Sequence, residues 1–176
     1  QLQEKGIEYI HVNLSVIECM QEKLCEKLLH TMDEFGLDYR YIQFEITETA
    51  AVASKEVLQN TMEKLIKHGI EFAMDDYGTG FSNMATIINY PFSTIKLDKS
   101  MIWSAMEDEK AMIALKHMIS MSKELKLHII AEGVETLAQA NHLAVLGCDY
   151  FQGYFFSRPL DEEDFLKVLS KKIKFL

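Results

Sequence analysis

The sequence predicts an α/β protein built on a mainly parallel sheet, and three observations carry that expectation. Short apolar runs of strand character alternate with longer segments whose apolar residues recur at helical spacing. That alternation marks βαβ units, not separate helical and sheet layers. A chain of 176 residues with 48% hydrophobic content and only two prolines can bury a core and is too apolar to stay disordered.

The first strand is read at Tyr9–Leu14. Ile17, Met20, Leu24, Leu28, Met32 and Phe35 then share one helical face, and Gly36 ends that helix. Tyr41–Ile46 is the second strand. Ser54 is placed to cap a helix carrying Val57, Leu58, Met62, Leu65 and Ile66, which stops at Gly69. The third strand is Ile70–Met74, followed by a glycine-rich turn, Tyr77–Gly80, and a short helix with Met84, Ile87 and Ile88. After Pro91 comes the fourth strand, Thr94–Leu97. A long helix from about Glu107 to Lys126 presents Met112, Leu115, Met118, Ile119 and Leu125. His128–Ala131 is the fifth strand. Thr136 and Gln139 form a capping-box pattern before Leu137, Ala140, Leu143 and Leu146, and Gly147 closes the helix. Tyr150–Phe155 is the sixth strand, and Asp161 caps a last helix whose final lysines, Lys171, Lys172 and Lys174, suit the negative end of its dipole.

Two architectures fit this order, an open doubly wound sheet and a (β/α)8 barrel. A barrel needs eight strands and about 250 residues, so here it would lack two strands. No linker or low-complexity tract interrupts the chain, so residues 1–176 are expected to form one domain.

The balance of 18 basic and 27 acidic residues leaves a formal charge of −9. Such a surface does not wrap a nucleic-acid polymer, because few counterions are released. A phosphate-ester substrate would then need a divalent cation to neutralise it. No run approaches the roughly 20 apolar residues of a membrane span, so no membrane contact is expected of this segment. No basic-then-apolar leader opens the chain, and Cys19, Cys25 and Cys148 read as free thiols, so a cytoplasmic location is expected. The six histidines show no metal-binding spacing. A chain that opens at Gln1 is expected to be part of a longer protein.

Each strand delivers polar groups near its carboxyl end: Asn13; Glu45 and Glu48; Asp75 and Asp76; Lys96 and Asp98; Glu132 and Glu135; Gln152. Both candidate folds bind ligands along that edge. One charged residue there is commonly only a loop residue, but the feature recurs on every strand. Glu45 between Phe44 and Ile46, and Lys96 between Ile95 and Leu97, are charges set inside apolar strands, a costly placement unless they are paired or bind a metal. Hard oxygen donors suit Mg²⁺ or Mn²⁺, and the adjacent Asp75 and Asp76 can serve two ions. Two ions suit in-line attack of water on a phosphodiester. Lys96 can neutralise a carboxylate, hold a phosphate oxygen or orient a water. Glu132 can be a general base or a further ligand. Gly78, Thr79 and Gly80 form a tight turn beside the acidic pair.

Six ordered stretches resemble the EAL-domain family, bacterial phosphodiesterases of cyclic di-GMP. They are Val12–Ser15, Phe44–Glu48, Asp75–Ser82, Ile95–Asp98, Ala131–Thr136 and Gln152–Tyr154. The resemblance implies a TIM-type (β/α)8 barrel with one early antiparallel strand, here without its first two strands. It implies that Asn13, Glu45 and Asp75 hold one Mg²⁺ or Mn²⁺ and Asp76 a second. Lys96 and Glu132 would then position or activate the attacking water. Glu48 would anchor the loop 75–82, with Gly78, Thr79, Gly80, Asp98, Glu135 and Gln152 supporting loop or substrate. The implied reaction converts cyclic di-GMP to linear pGpG.

The Glu-Ala-Leu motif that names the family is absent from these residues, as are the opening strands of its barrel. A non-catalytic EAL-like module that senses the dinucleotide or a protein partner is therefore the alternative. Lys, Asp and Glu on successive strands also fit enolase-type proton abstraction. The resemblance further implies an upstream regulatory domain. Open sheet edges lead to an expectation of self-association, rearranged terminal segments or strands recruited from another chain.

Overall fold

A computed structural model of the protein describes residues 6–48, 55–79 and 84–170. Six strands form one sheet: β1 Ile10–Asn13, β2 Ile42–Thr47, β3 Glu71–Tyr77, β4 Thr94–Leu97, β5 His128–Ala131 and β6 Tyr150–Phe151. Their spatial order is their chain order, and every pair is parallel. A doubly wound sheet reverses direction at a switch point, so its first strand lies inside the sheet. Here the chain always advances to the next neighbour, which is the winding of a barrel. The arc also curls back on itself. Tyr9, just before β1, and Tyr150 of β6 meet edge to face with ring centroids 6.3 Å apart. No strand among the described residues is antiparallel.

One face of the sheet is apolar. Phe44, Ile46, Phe72, Met74, Ile95, Leu97 and Ile129 alternate along their strands and are buried in the core with helix residues such as Leu58, Met62, Leu115 and Leu143. Burial of each such side chain is worth about 1.5–3 kcal/mol. The alternate positions on the same strands carry His11, Gln43, Glu45, Glu71, Asp75, Thr94 and Lys96, so the face away from the helices is polar.

The helices are α1 Val16–Cys19, α2 Leu24–Glu34, α3 Lys55–Ile66, α4 Met84–Asn89, α5 Lys99–Glu107, α6 Glu109–Glu124, α7 Leu137–Leu146 and α8 Glu162–Ser170. Among the described residues no helix is long and apolar enough to cross a membrane. The caps expected at Thr136 with Gln139 and at Asp161 form, and Gly147 ends α7 in the left-handed region.

Four expectations need correction. The single helix over residues 17–35 is two. Lys23 adopts φ 62° and breaks it, so Ile17, Met20 and Phe35 are exposed while Leu24, Leu28 and Met32 pack inward. A capping box begins the first piece: Ser15 Oγ accepts from Glu18 N, and the Glu18 carboxylate accepts from Ser15 N. Helix α5 was not anticipated. Asp98 starts it by accepting from Ser100 N at 2.8 Å, and Asp108 then starts α6 by accepting from Ala111 N. Strand β3 runs on through Asp75 and Asp76 to Tyr77, with an irregular register after Met74 and Asp76 at φ 56°.

The last correction is β6, which is only two residues long. At Gly153 the chain lies against Val134, where a Cβ would stand 2.2–2.8 Å from its backbone atoms, and the chain turns there. Phe155 and Phe156 thereby pack together and against the core, leaving only Tyr154 of that aromatic group well exposed. Ser54, Gly80, Phe81, Ser82 and the lysines at 171, 172 and 174 lie outside the described residues.

Candidate active site

The polar face of the sheet centres on Lys96. The residue is 4% exposed, and its ammonium lies 2.8 Å from each of three carboxylate oxygens: Glu45 Oε1 on β2, Asp75 Oδ1 on β3 and Glu132 Oε1 just after β5. An ammonium has three N–H donors, and each meets one acid. Parallel pairing explains the convergence. Register sets Thr47 beside Asp75 and Lys96 beside Ile130, so side chains two residues apart on adjacent strands reach one point.

The protonation balance follows from these bonds. Burial pulls the Lys96 ammonium down, but the hydrogen bonds it donates to Asp75, Glu132 and Glu45 outweigh it and hold the group above its ordinary value. Burial pushes Glu45 up, but bonds from His11 and Lys96 prevail and its carboxyl lies below the ordinary range. At Glu132 burial wins over Lys96, with Asp75 and Glu45 adding repulsion, so its carboxyl is raised. Asp76 is raised by burial and then by Asp75 and Asp98.

Oxygens of Asp75, Asp76 and Glu132 all lie within 4.8 Å of one another. That spacing and an all-carboxylate donor set fit a hard divalent cation. Asn13 ends β1 in register with Glu45, exposed at the rim. Glu48 is buried just past β2, close enough to Tyr77 that, after burial itself, its charge pushes that phenol up. Thr79 donates its hydroxyl to Asp76 O at 3.0 Å, Gly78 has φ 100°, and Gly80 lies outside the described residues. Asp98 is the cap of α5.

Glu135 and Gln152 lie apart from the lysine. With Glu132, Lys99, Trp103 and Tyr154 they line a cavity of about 310 Å³ beside the carboxylates. Trp103 donates Nε1–H to Gly133 O at 3.1 Å. A larger cavity, about 400 Å³, lies between α2 and α3, remote from this cluster.

Sequence reasoning missed two residues here. Trp103 sits on the unanticipated α5. His11 donates from Nδ1 to Glu45 Oε1 at 2.5 Å. Its signal was available, because His11 and Asn13 are two apart on one strand and so share a face.

This site on this barrel arc defines a class. The EAL domain profile matches residues 1–159, and the chain belongs to the EAL domain family. It is 32% identical over 169 residues to the oxygen sensor protein DosP of Escherichia coli, covering 93% of this chain and 21% of that protein. It is 32% identical over 147 residues to the cyclic di-GMP phosphodiesterase RocR of Pseudomonas aeruginosa, covering 84% of this chain and 38% of that protein. The solved structure of the PaMucR phosphodiesterase in complex with c-di-GMP superposes with a TM-score of 0.84 at 28% identity, covering 93% of this chain and 67% of that one. The chain spans only 20–23% of the length of the first curated relatives it matches.

Proposed function

We propose that this chain is the later part of one EAL domain, residues 1–176, which hydrolyses one phosphodiester bond of cyclic di-GMP to give linear pGpG. The observation that carries this reading is the buried Lys96 shared by Glu45, Asp75 and Glu132, with Asp76 alongside. One ammonium cannot balance four carboxylates, so the rim has capacity for Mg²⁺ or Mn²⁺. Asn13, Glu45 and Asp75 would hold one ion and Asp76 a second. Bound there, the ions supply charge neutralisation for the phosphodiester and a lowered pKa for water.

The chain's own groups do the rest. Lys96 holds three carboxylates in fixed positions and keeps its proton throughout. Glu132, whose carboxyl lies above the ordinary range, is the group suited to take a proton from the attacking water. Glu48, beside Tyr77, and Thr79, bonded to Asp76 O, would anchor the start of the loop that follows the acidic pair. Glu135 and Gln152 face the adjoining cavity, where they can meet the nucleotide. The greater length of the relatives supports a further regulatory domain, and the exposed outer residues of β1, Ile10 and Val12, support pairing of that edge with other strands or a second copy.

The test is turnover of cyclic di-GMP by the intact protein with Mg²⁺, Mn²⁺ or EDTA, with products separated by chromatography. Metal-dependent appearance of pGpG is expected. Binding of the dinucleotide without any product would replace this reading with that of a sensor.

A further inference from the structure

We infer that His11 is a positioning residue for this site: its Nδ1–H holds one oxygen of Glu45 so that the other is presented to a cation. The inference rests on the reading of Glu45 as a metal ligand. His11 Nδ1 and Lys96 Nζ reach the same atom, Glu45 Oε1, at 2.5 and 2.8 Å. Both contacts fall on Oε1, so Oε2 is the oxygen left to face an ion. A carboxylate on a free side chain rotates about its last torsion. Two donors on one oxygen, from β1 and β4, remove that freedom. Partners of this kind orient ligating carboxylates and raise metal affinity.

The ring is itself held. The Tyr9 ring packs against it with centroids 5.2 Å apart, and its side chain is 22% exposed, so the imidazole is fixed but not sealed in. Donation to a carboxylate selects the tautomer with its proton on Nδ1. Packing alone would ask only for a flat ring of this size, and it predicts a different result on substitution.

Two substitutions separate these roles in the intact protein. His11→Phe keeps a ring against Tyr9 and removes the donor. His11→Asn loses the ring but keeps an N–H close to the position of Nδ1. Mn²⁺ affinity is measured by calorimetry on metal-free protein, with circular dichroism to establish folding. His11→Phe is expected to weaken Mn²⁺ binding about tenfold and His11→Asn no more than about threefold. If His11→Phe does not fold, His11→Ala carries the same expectation. An unchanged affinity in the donor-less variant, or an equal loss in His11→Asn, overturns the inference. Glu45→Gln is the control for the reading beneath it. If that variant binds Mn²⁺ normally, the ligand assignment fails. If it does not bind while His11→Phe binds normally, only the role of His11 fails.

Discussion

The polar face of the sheet carries two clusters that share strands but differ in kind. Near the amino ends of the strands, buried Gln43 donates to Thr94 Oγ1 at 2.9 Å, Ser93 Oγ at 3.1 Å and Glu71 Oε2 at 3.2 Å. That cluster has a single charge, and its Ser93 hydroxyl also donates to Glu71. Further toward the carboxyl ends of β2, β3 and β4, Glu45 and Asp75, joined by Glu132 after β5, surround Lys96, with Asp76 close by. In the first cluster the one carboxylate is met by hydrogen bonds from Gln43 and Ser93. The second is left with more acid than base in a half-buried place. Stability alone is served by the first arrangement. A charge excess at the carboxyl ends, where a barrel binds ligands, is one that the cation proposed above would complete.

The sharpest way to break this contrast is to remove a ligand. Glu45→Ala or Asp75→Ala in the intact protein is expected to lower kcat/KM for cyclic di-GMP by about 10³-fold or more, given the several kcal/mol a metal contributes to the transition state. Near-normal turnover at saturating Mg²⁺ would falsify the assignment. Deleting a carboxylate from an acidic cluster relieves repulsion, but Glu45 also stabilises the fold through Lys96 and His11. In the metal-free protein relief is therefore expected at Asp76 and Glu132, whose carboxyls are raised, and not at Glu45.

The second test asks whether Lys96 is what keeps the acidic cluster together. Lys96→Met leaves three carboxylates facing one another without a counter-ion. Removing one partner of a buried ion pair costs about 3–5 kcal/mol, and urea denaturation in EDTA should show a loss of that order. Addition of Mn²⁺ should recover part of it by ligand linkage, more than in the wild type. A variant as stable as wild type without metal would mean that the acids repel little and that the two clusters are alike.

The Gln43 cluster should behave differently. Gln43→Leu removes the amide N–H donors shared among Thr94, Ser93 and Glu71 but also removes Gln43 Oε1, a buried acceptor that no described group pairs. The two effects oppose each other, so a loss of only about 1 kcal/mol is expected in denaturation, with kcat and KM unchanged. A large loss of activity would show that the lower cluster positions the upper one.

Legibility in the sequence follows the same division. Glu45 and Lys96 stood out because a charge flanked by apolar strand residues has few innocent explanations. The strands of the central sheet were legible because their apolar faces alternate against helices. The break at Lys23 was not, since a left-handed lysine carries no residue signal of the kind glycine supplies. Helix α5 was hidden because Asp98 looks like one more rim carboxylate when it is a cap, and Trp103 was lost with it. The early end of β6 depends on Gly153 meeting Val134, a contact between distant segments. His11 was weighed only as half of a histidine pair, although its partner is a glutamate.

The smallest expected effect is in pH, and it separates the acids within the upper cluster. Glu132 and Asp76 are raised, so in the metal-free fold their ionised forms are disfavoured relative to the unfolded chain. At neutral pH each therefore costs stability, and the cost disappears as pH falls through its folded pKa. Glu45 is lowered, so its contribution is present above about 4.5 and is lost as pH falls toward its folded pKa. Glu132→Gln should accordingly be slightly more stable than wild type near pH 7 in EDTA. The gap should close as pH drops through the elevated pKa of Glu132, because the wild-type carboxyl is then neutral too. Glu45→Gln should show the opposite sign, less stable than wild type at pH 7 and approaching it only below about pH 4.5. Urea denaturation of the three proteins between pH 4 and 7.5 measures both gaps. Gaps of the same sign would mean that Lys96 holds the two glutamates equally, and that Glu132 is no better suited than Glu45 to accept a proton.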